Sequence, residues 1–175
     1  VDMGKLKQEW QYQYYKEKGV PFRNKLIGNF SGGMKLASKI PWGYRLAFSN
    51  DLTGNLVKGV MGFAKKRSMP ELSKISWEKW FTKHFKPTAH SGKKVYLFID
   101  ELINYNEAEI GITTVQLLDR LGYQVAYVKH TESGRPFLSK GLLEEAREFA
   151  KENVAVFKDL ISEETPLIGV EPSAI

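Results

Sequence analysis

Val95-Tyr96-Leu97-Phe98-Ile99-Asp100 is the stretch on which the fold turns. Led in by Lys93-Lys94, this short continuous apolar run ending in a carboxylate has the pattern of a strand buried on both faces, as in parallel sheets covered by helices. The residues after it keep an α/β rhythm. Glu101-Leu102-Ile103-Asn104-Tyr105 reads as a loop, and Asn106, with Glu109 three residues on, reads as a helix N-cap. Ile110, Thr113, Thr114, Leu117, Leu118 and Leu121 mark the expected inner face of that helix, and Gly122 its stop. Val125-Ala126-Tyr127-Val128 reads as a second strand. Residues 138–160 read as one long helix with Leu142, Ala146, Phe149, Ala150 and Phe157 inward, and Pro166-Leu167-Ile168-Gly169-Val170 as a third strand. This alternation predicts the α/β class, with an open sheet of about three parallel strands joined by right-handed crossovers.

Ligand sites in open α/β sheets lie beyond the carboxyl ends of the strands. Three loops leave those ends here, carrying Asp100-Glu101, then His130-Thr131-Glu132-Ser133-Gly134-Arg135, then Glu171-Pro172-Ser173-Ala174. Glu101, His130, Glu132 and Glu171 offer oxygen and imidazole donors for a divalent cation, and with Arg135 they make a candidate pocket for a small polar ligand. Clustered carboxylates also suit acid–base work. The plainer reading is a polar rim, with Arg135 pairing one carboxylate and Glu171 near the start of a following helix. No ligand spacing among these residues is diagnostic.

Upstream the character changes. Of the 175 residues, 42% are apolar and 13% aromatic, enough for a core, and the formal charge is +6. Residues 1–94 hold 19 Lys and Arg against 6 Asp and Glu, and residues 95–175 hold 7 against 14. A basic module of about +13 thus precedes an acidic one of about −7. The basic part reads as helices. Asp2 caps an aromatic, amphipathic helix carrying Leu6, Trp10, Tyr14 and Tyr15, which Gly19 and Pro21 end. Phe22 to Ile40 divides at Ser31-Gly32-Gly33, Pro41-Trp42-Gly43 breaks the chain again, and one or two helices follow around Asn50-Asp51 up to Arg67-Ser68-Met69-Pro70. Ser76 caps a short helix to His84, and His84 and His90 lie in a solvated linker. We therefore expect a basic helical connector over 1–92 and an acidic α/β domain over 93–175.

The absence of cysteine excludes disulfides, thiolate metal sites and cysteine nucleophiles within this chain. No apolar run is long enough to span a membrane, and no phosphate-cradling, dinucleotide, zinc-protease or nucleophile-elbow motif occurs. Trp10, Trp42, Trp77 and Trp80 all lie in the basic part, where aromatic residues beside cations would suit single-stranded nucleic acid. The cations are scattered rather than striped and no nucleic-acid module is present, so no nucleic-acid partner is expected. The start at Val1-Asp2-Met3, and the end at Ser173-Ala174-Ile175 where a helix is due to begin, read as the edges of a piece of a longer protein.

At the three loops the sequence resembles the cysteine-rich CCG domain of iron–sulfur oxidoreductases. That domain is found in heterodisulfide reductase and glycolate oxidase iron–sulfur subunits and at the C-terminal end of FAD-linked dehydrogenases of D-2-hydroxyacids such as D-lactate dehydrogenase. The family pattern is one Cys after the first strand, Cys-Cys-Gly after the second and Cys-x-x-Cys after the third. Thirty residues separate Glu101 from Glu132 and 36 separate Gly134 from Glu171, which suits that spacing. Upstream, Val1-Asp2-Met3-Gly4-Lys5-Leu6-Lys7, Gly19-Val20-Pro21-Phe22-Arg23 and Lys25-Leu26-Ile27-Gly28-Asn29-Phe30 are similar to the helical connector of the fused dehydrogenases. The departure is chemical: Glu101, Glu132, Ser133, Glu171 and Ala174 stand at the cysteine positions, and only Gly134 of the triplet remains. The resemblance implies a parent carrying FAD and a ferredoxin-like [4Fe–4S] domain outside these residues. Within it, the present region would be a structural or docking domain without cofactor or catalytic residues, truncated at its C-terminal end. Its partners would be those domains and an electron-accepting protein. The implied location is cytoplasmic, with a membrane-peripheral position through a partner left open, and any enzymatic activity would belong to the parent.

Overall fold

The computed structural model describes residues 2–48, 51–88 and 92–174, so the expectations for Asn50 and His90 and for the chain ends Val1 and Ile175 lie outside the described residues. The sheet is formed by β1 (Lys94–Phe98), β2 (Gln124–Ala126) and β3 (Leu167–Gly169) in the order β2-β1-β3, with both pairings parallel. Lys94, Val95 and Tyr96 face Gln124, Val125 and Ala126, while Tyr96, Leu97 and Phe98 face Leu167, Ile168 and Gly169. The run that is apolar throughout takes the central place, where a paired strand shields it on each edge. Val95, Leu97, Phe98 and Ile99 are all buried. The α/β class with a small open parallel sheet is therefore observed, beside a largely helical N-terminal region.

The chain divides into two compact units, Val1–Leu72 with Arg135–Ala146 and Ser73–Gly134 with Arg147–Ile175. In the sheet unit, α6 (Trp77–His84), α7 (Glu101–Tyr105) and α8 (Ala108–Arg120) surround a core of Trp77, Leu97, Ile99, Ile103, Ala108, Ile112 and Val115. The helix α6, which the sequence reading groups with the basic part, supplies the largest member of that core, as Trp77 is fully buried. Its caps arrive from elsewhere. Ser76 occupies the N-cap without a side-chain bond, and Asn104 Oδ1 instead accepts the Glu78 N–H at 3.1 Å. Ser73 Oγ likewise accepts the Ala108 N–H at 3.0 Å at the start of α8.

Several local expectations are corrected. The stretch 101–105 is helix rather than loop, because the Asp100 carboxylate accepts the N–H groups of Leu102 and Ile103 and so starts a turn at once. Asn106 closes α7, and Glu107 holds the N-cap position of α8. The inner face of α8 is Ala108, Gly111, Ile112 and Val115, while Ile110, Leu117 and Leu121 are exposed. Trp77 sets this phase: a Cβ on Gly111 would stand 2.5 Å from the indole Cδ1, so only glycine lets the helix lie so close. The single helix expected over 138–160 is two, α9 (Arg135–Ser139) and α10 (Leu143–Phe157), divided at Gly141 with φ +69°. Ala150 of α10 faces outward rather than inward.

The helical unit begins with α1 (Met3–Lys18), capped by the Asp2 carboxylate and stopped by Gly19 at φ +79°. It continues through α2 (Phe22–Gly28), α3 (Phe30–Lys39), α4 (Pro41–Phe48) and α5 (Asp51–Val60). The break in the Phe22–Ile40 stretch falls at Asn29 rather than at Ser31-Gly32-Gly33, whose glycines lie inside α3 and leave room for the Asn29 amide over Gly32. Pro41 begins α4 instead of breaking the chain, since the first helical position needs no N–H donor.

Candidate functional site

The three loops expected to carry chemistry leave the C-terminal ends of β1, β2 and β3, and the structure joins two of them. Glu101 opens α7 with its side chain buried at 3% exposure. Its two carboxylate oxygens accept the backbone N–H of Ser133 at 3.1 Å and the Ser133 hydroxyl at 3.0 Å. Gly134 follows at φ +73°, a conformation that glycine adopts without the Cβ penalty. The loop before Ser133 is clamped by Asn153 of α10. Its Oδ1 accepts the Thr131 N–H at 3.2 Å and its Nδ2 donates to the Glu132 carbonyl at 2.9 Å.

His130 is built into the same place as a structural group. Its Nε2 accepts the Ile99 N–H at 3.1 Å and its Nδ1 lies 2.6 Å from the Thr131 carbonyl, which assigns the proton to Nδ1. The ring stacks on Phe98 at 4.4 Å and is flanked by Phe157 and Tyr127. Burial lowers its pKa, against the smaller opposing effects of the Thr131 carbonyl, Glu78 and Asp100. Burial also raises the phenols of Tyr127 and Tyr105, with Glu78 adding to the shift in both. With both ring nitrogens engaged on the backbone, His130 keeps no lone pair for a metal.

Glu171 turns back on its own loop, accepting from the Ser173 N–H at 3.2 Å and the Ser173 hydroxyl at 2.6 Å, with Ala174 beyond. Arg135 opens α9 and falls in the other compact unit. Among the described residues, no group of three or more His, Asp or Glu side chains is disposed to hold a metal ion. Nor do the residues fit a thiolate-held cluster: the cysteine positions of the resemblance carry carboxylates, a hydroxyl and a methyl, and two of them, Glu101 and Ser133, bond to each other. Sequence reasoning missed Asn153 and the capping role of Asp100. A lone amide in the otherwise charged or apolar run of α10 was the available signal for the first.

The chain is thus defined as a small parallel α/β unit whose β1 and β2 loops are bound together at the carboxyl edge, with a basic helical unit beside it in sequence. Over 67 residues, 38% of its length, it is 39% identical to Lactate utilization protein A of Geobacillus kaustophilus (strain HTA426). That stretch makes up 28% of the curated relative, so the chain matches little more than a quarter of that protein. No protein-family model and no solved structure matches the chain. Among the described residues no helix is long and apolar enough to cross a membrane.

Proposed function

We propose that this chain is a structural and docking region of a lactate- or 2-hydroxyacid-oxidising iron–sulfur flavoprotein system, one that keeps a CCG-type scaffold without its cluster. The similarity to Lactate utilization protein A supports the lactate connection, and the sheet order with its three carboxyl-edge loops suits the scaffold. The bond between Glu101 and Ser133 carries the reading. At positions where the resemblance implies two cluster ligands, the side chains satisfy each other, so the loops that would hold a cofactor are held together by a carboxylate–hydroxyl bridge. Oxidation of the hydroxyacid would then belong to FAD and [4Fe–4S] domains outside these residues. The role of this region would be to position them, or an electron-accepting protein, through its basic and acidic parts.

The test is an anaerobic visible spectrum of the complete gene product that contains this chain, recorded before and after D-lactate. A flavin band that bleaches supports the reading, and a protein with neither flavin nor cluster overturns it. Anaerobic treatment of the chain alone with iron and sulfide separates the second claim. No cluster absorption is expected, and a stable cluster would show that the Glu101–Ser133 bridge does not replace one.

A further inference from the structure

The helical unit contains a cavity of about 840 Å³, bounded by α4, α5 and the segment 65–72. Among the described residues, five cationic ones line it, Arg45, Lys58, Lys65, Lys66 and Arg67, against one acidic one, Glu71. Like charges gathered around a concavity repel one another and focus a positive potential into it, which an anion relieves. The site is built rather than a chance gathering of surface lysines. Lys58 is only 9% exposed, and its ammonium donates to the carbonyls of Lys65 at 2.8 Å and Arg67 at 3.0 Å. A buried cation therefore fixes the backbone that presents Lys65, Lys66 and Arg67. The Tyr44 hydroxyl ties the far end of the segment by donating to the Pro70 carbonyl at 2.6 Å.

Two further features describe the rest of the ligand. Asn55 Oδ1, in the cavity wall, is buried with no hydrogen-bond partner among the described residues, an acceptor that requires a donor. The rings of Tyr44 and Phe48, 4.9 Å apart, supply an apolar wall. We propose that this cavity binds a phosphate ester, the phosphate held by Lys65, Lys66 and Arg67 and a hydroxyl or N–H of the esterified group donated to Asn55. The volume lies within the roughly 300–1,000 Å³ of small-molecule sites and would admit a nucleotide. A phospholipid headgroup offers the same chemistry, and the same two helices turn Trp42, Leu46, Leu52, Leu56 and Val60 outward.

Calorimetric titration of the full chain with ADP tests the soluble source. Co-sedimentation with phosphatidylglycerol vesicles, set against phosphatidylcholine vesicles, tests the headgroup source. Binding in either arm is expected to weaken about tenfold in K65Q/K66Q/R67Q, as expected from losing three partly exposed charge contacts. It should also weaken in Asn55→Leu, which keeps the charge. A control, K5Q/K7Q/K79Q, removes as much charge away from the cavity, and circular dichroism verifies folding of each variant. ADP binding identifies a free phosphate ester as ligand, and vesicle binding without ADP binding identifies the headgroup. Absence of both, or equal weakening in the control, overturns the proposal.

Discussion

In the sheet unit Trp77, Leu97 and Val115 are sealed from water, whereas in the helical unit Leu52, Leu56 and Val60 stand in it and Lys58 of the same helix is turned inward. The two regions draw on similar residue types and use them in opposite ways. The sheet unit gathers its apolar side chains around one indole, so its order rests on burial. The helical unit buries Met34, Phe137 and Leu142, but leaves Met3, Leu6, Trp10, Phe22, Leu36 and Trp42 exposed. Its backbone is organised by caps, by glycine at close approaches and by a buried ammonium. A Cβ on Gly28, for instance, would stand 2.8 Å from Leu142 Cδ1. One unit therefore rests on a core, and the other leaves many of its large apolar side chains exposed around a buried ammonium.

The sharpest way to break this contrast is through tryptophan. Trp77→Ala empties the centre of the sheet unit and is expected to cost about 3–5 kcal/mol in urea denaturation. Trp42→Ala, at a site 71% exposed, is expected to change stability by no more than about 0.5 kcal/mol. Equal losses would show that the two units share one core. A smaller effect concerns the carboxyl edge. Ser133→Ala removes the hydroxyl that donates to the buried Glu101 carboxylate, and hydrogen bonds to charged groups contribute about 1.5–3 kcal/mol. A neutral substitution would mean that the bridge is open in solution, leaving Glu101 available to another ligand.

His130 gives a pH signature. Its imidazole is held neutral, with a pKa lowered by burial from the ordinary 6.5. When the medium is acidified through that ordinary value, the unfolded chain takes up a proton that the folded chain refuses. Stability therefore falls as pH drops, until the buried ring itself is protonated. Thermal unfolding between pH 7.5 and 5 should show this slope, and His130→Gln, which keeps an acceptor for the Ile99 N–H, should flatten it. A slope unchanged in the variant would assign the acid sensitivity to other groups.

The legible parts of this chain were those governed by local pattern. Strand β1 could be read because the five successive residues Val95 to Ile99 are apolar enough to require cover on both faces, and Gly122 could be read because a left-handed residue ends a helix. The phase of α8 could not, since Ile110, Leu117 and Leu121 form as plausible a face as Ala108, Ile112 and Val115. The choice was made by Trp77, more than thirty residues away, lying on Gly111. The same limit applied at the candidate site. Glu101 and Ser133 could be placed on neighbouring loops by strand order, but their bond depends on the turn at Gly134 and the clamp from Asn153. The cationic cavity is not legible in the sequence because its members are spread over Arg45 to Arg67 and are brought together by bonds from Lys58 and Tyr44 to distant backbone carbonyls.

The smallest expected effect bears most directly on what the helical unit is for. Leu52, Leu56 and Val60 recur along α5 at four-residue intervals and are 85%, 71% and 75% exposed, so they make one apolar stripe along the helix, opposite buried Gly54 and Lys58. If nothing covers that stripe, Leu56→Gln exchanges one exposed good helix former for another and should alter stability by no more than about 0.5 kcal/mol. The urea midpoint should also be independent of protein concentration. A loss above about 2 kcal/mol, in the range for a buried leucine, would show that the stripe is covered in solution, and a concentration-dependent midpoint would identify the cover as a second copy. An unchanged midpoint keeps the contrast between the two units intact and leaves the stripe as exposed surface on the side of α5 away from Lys58.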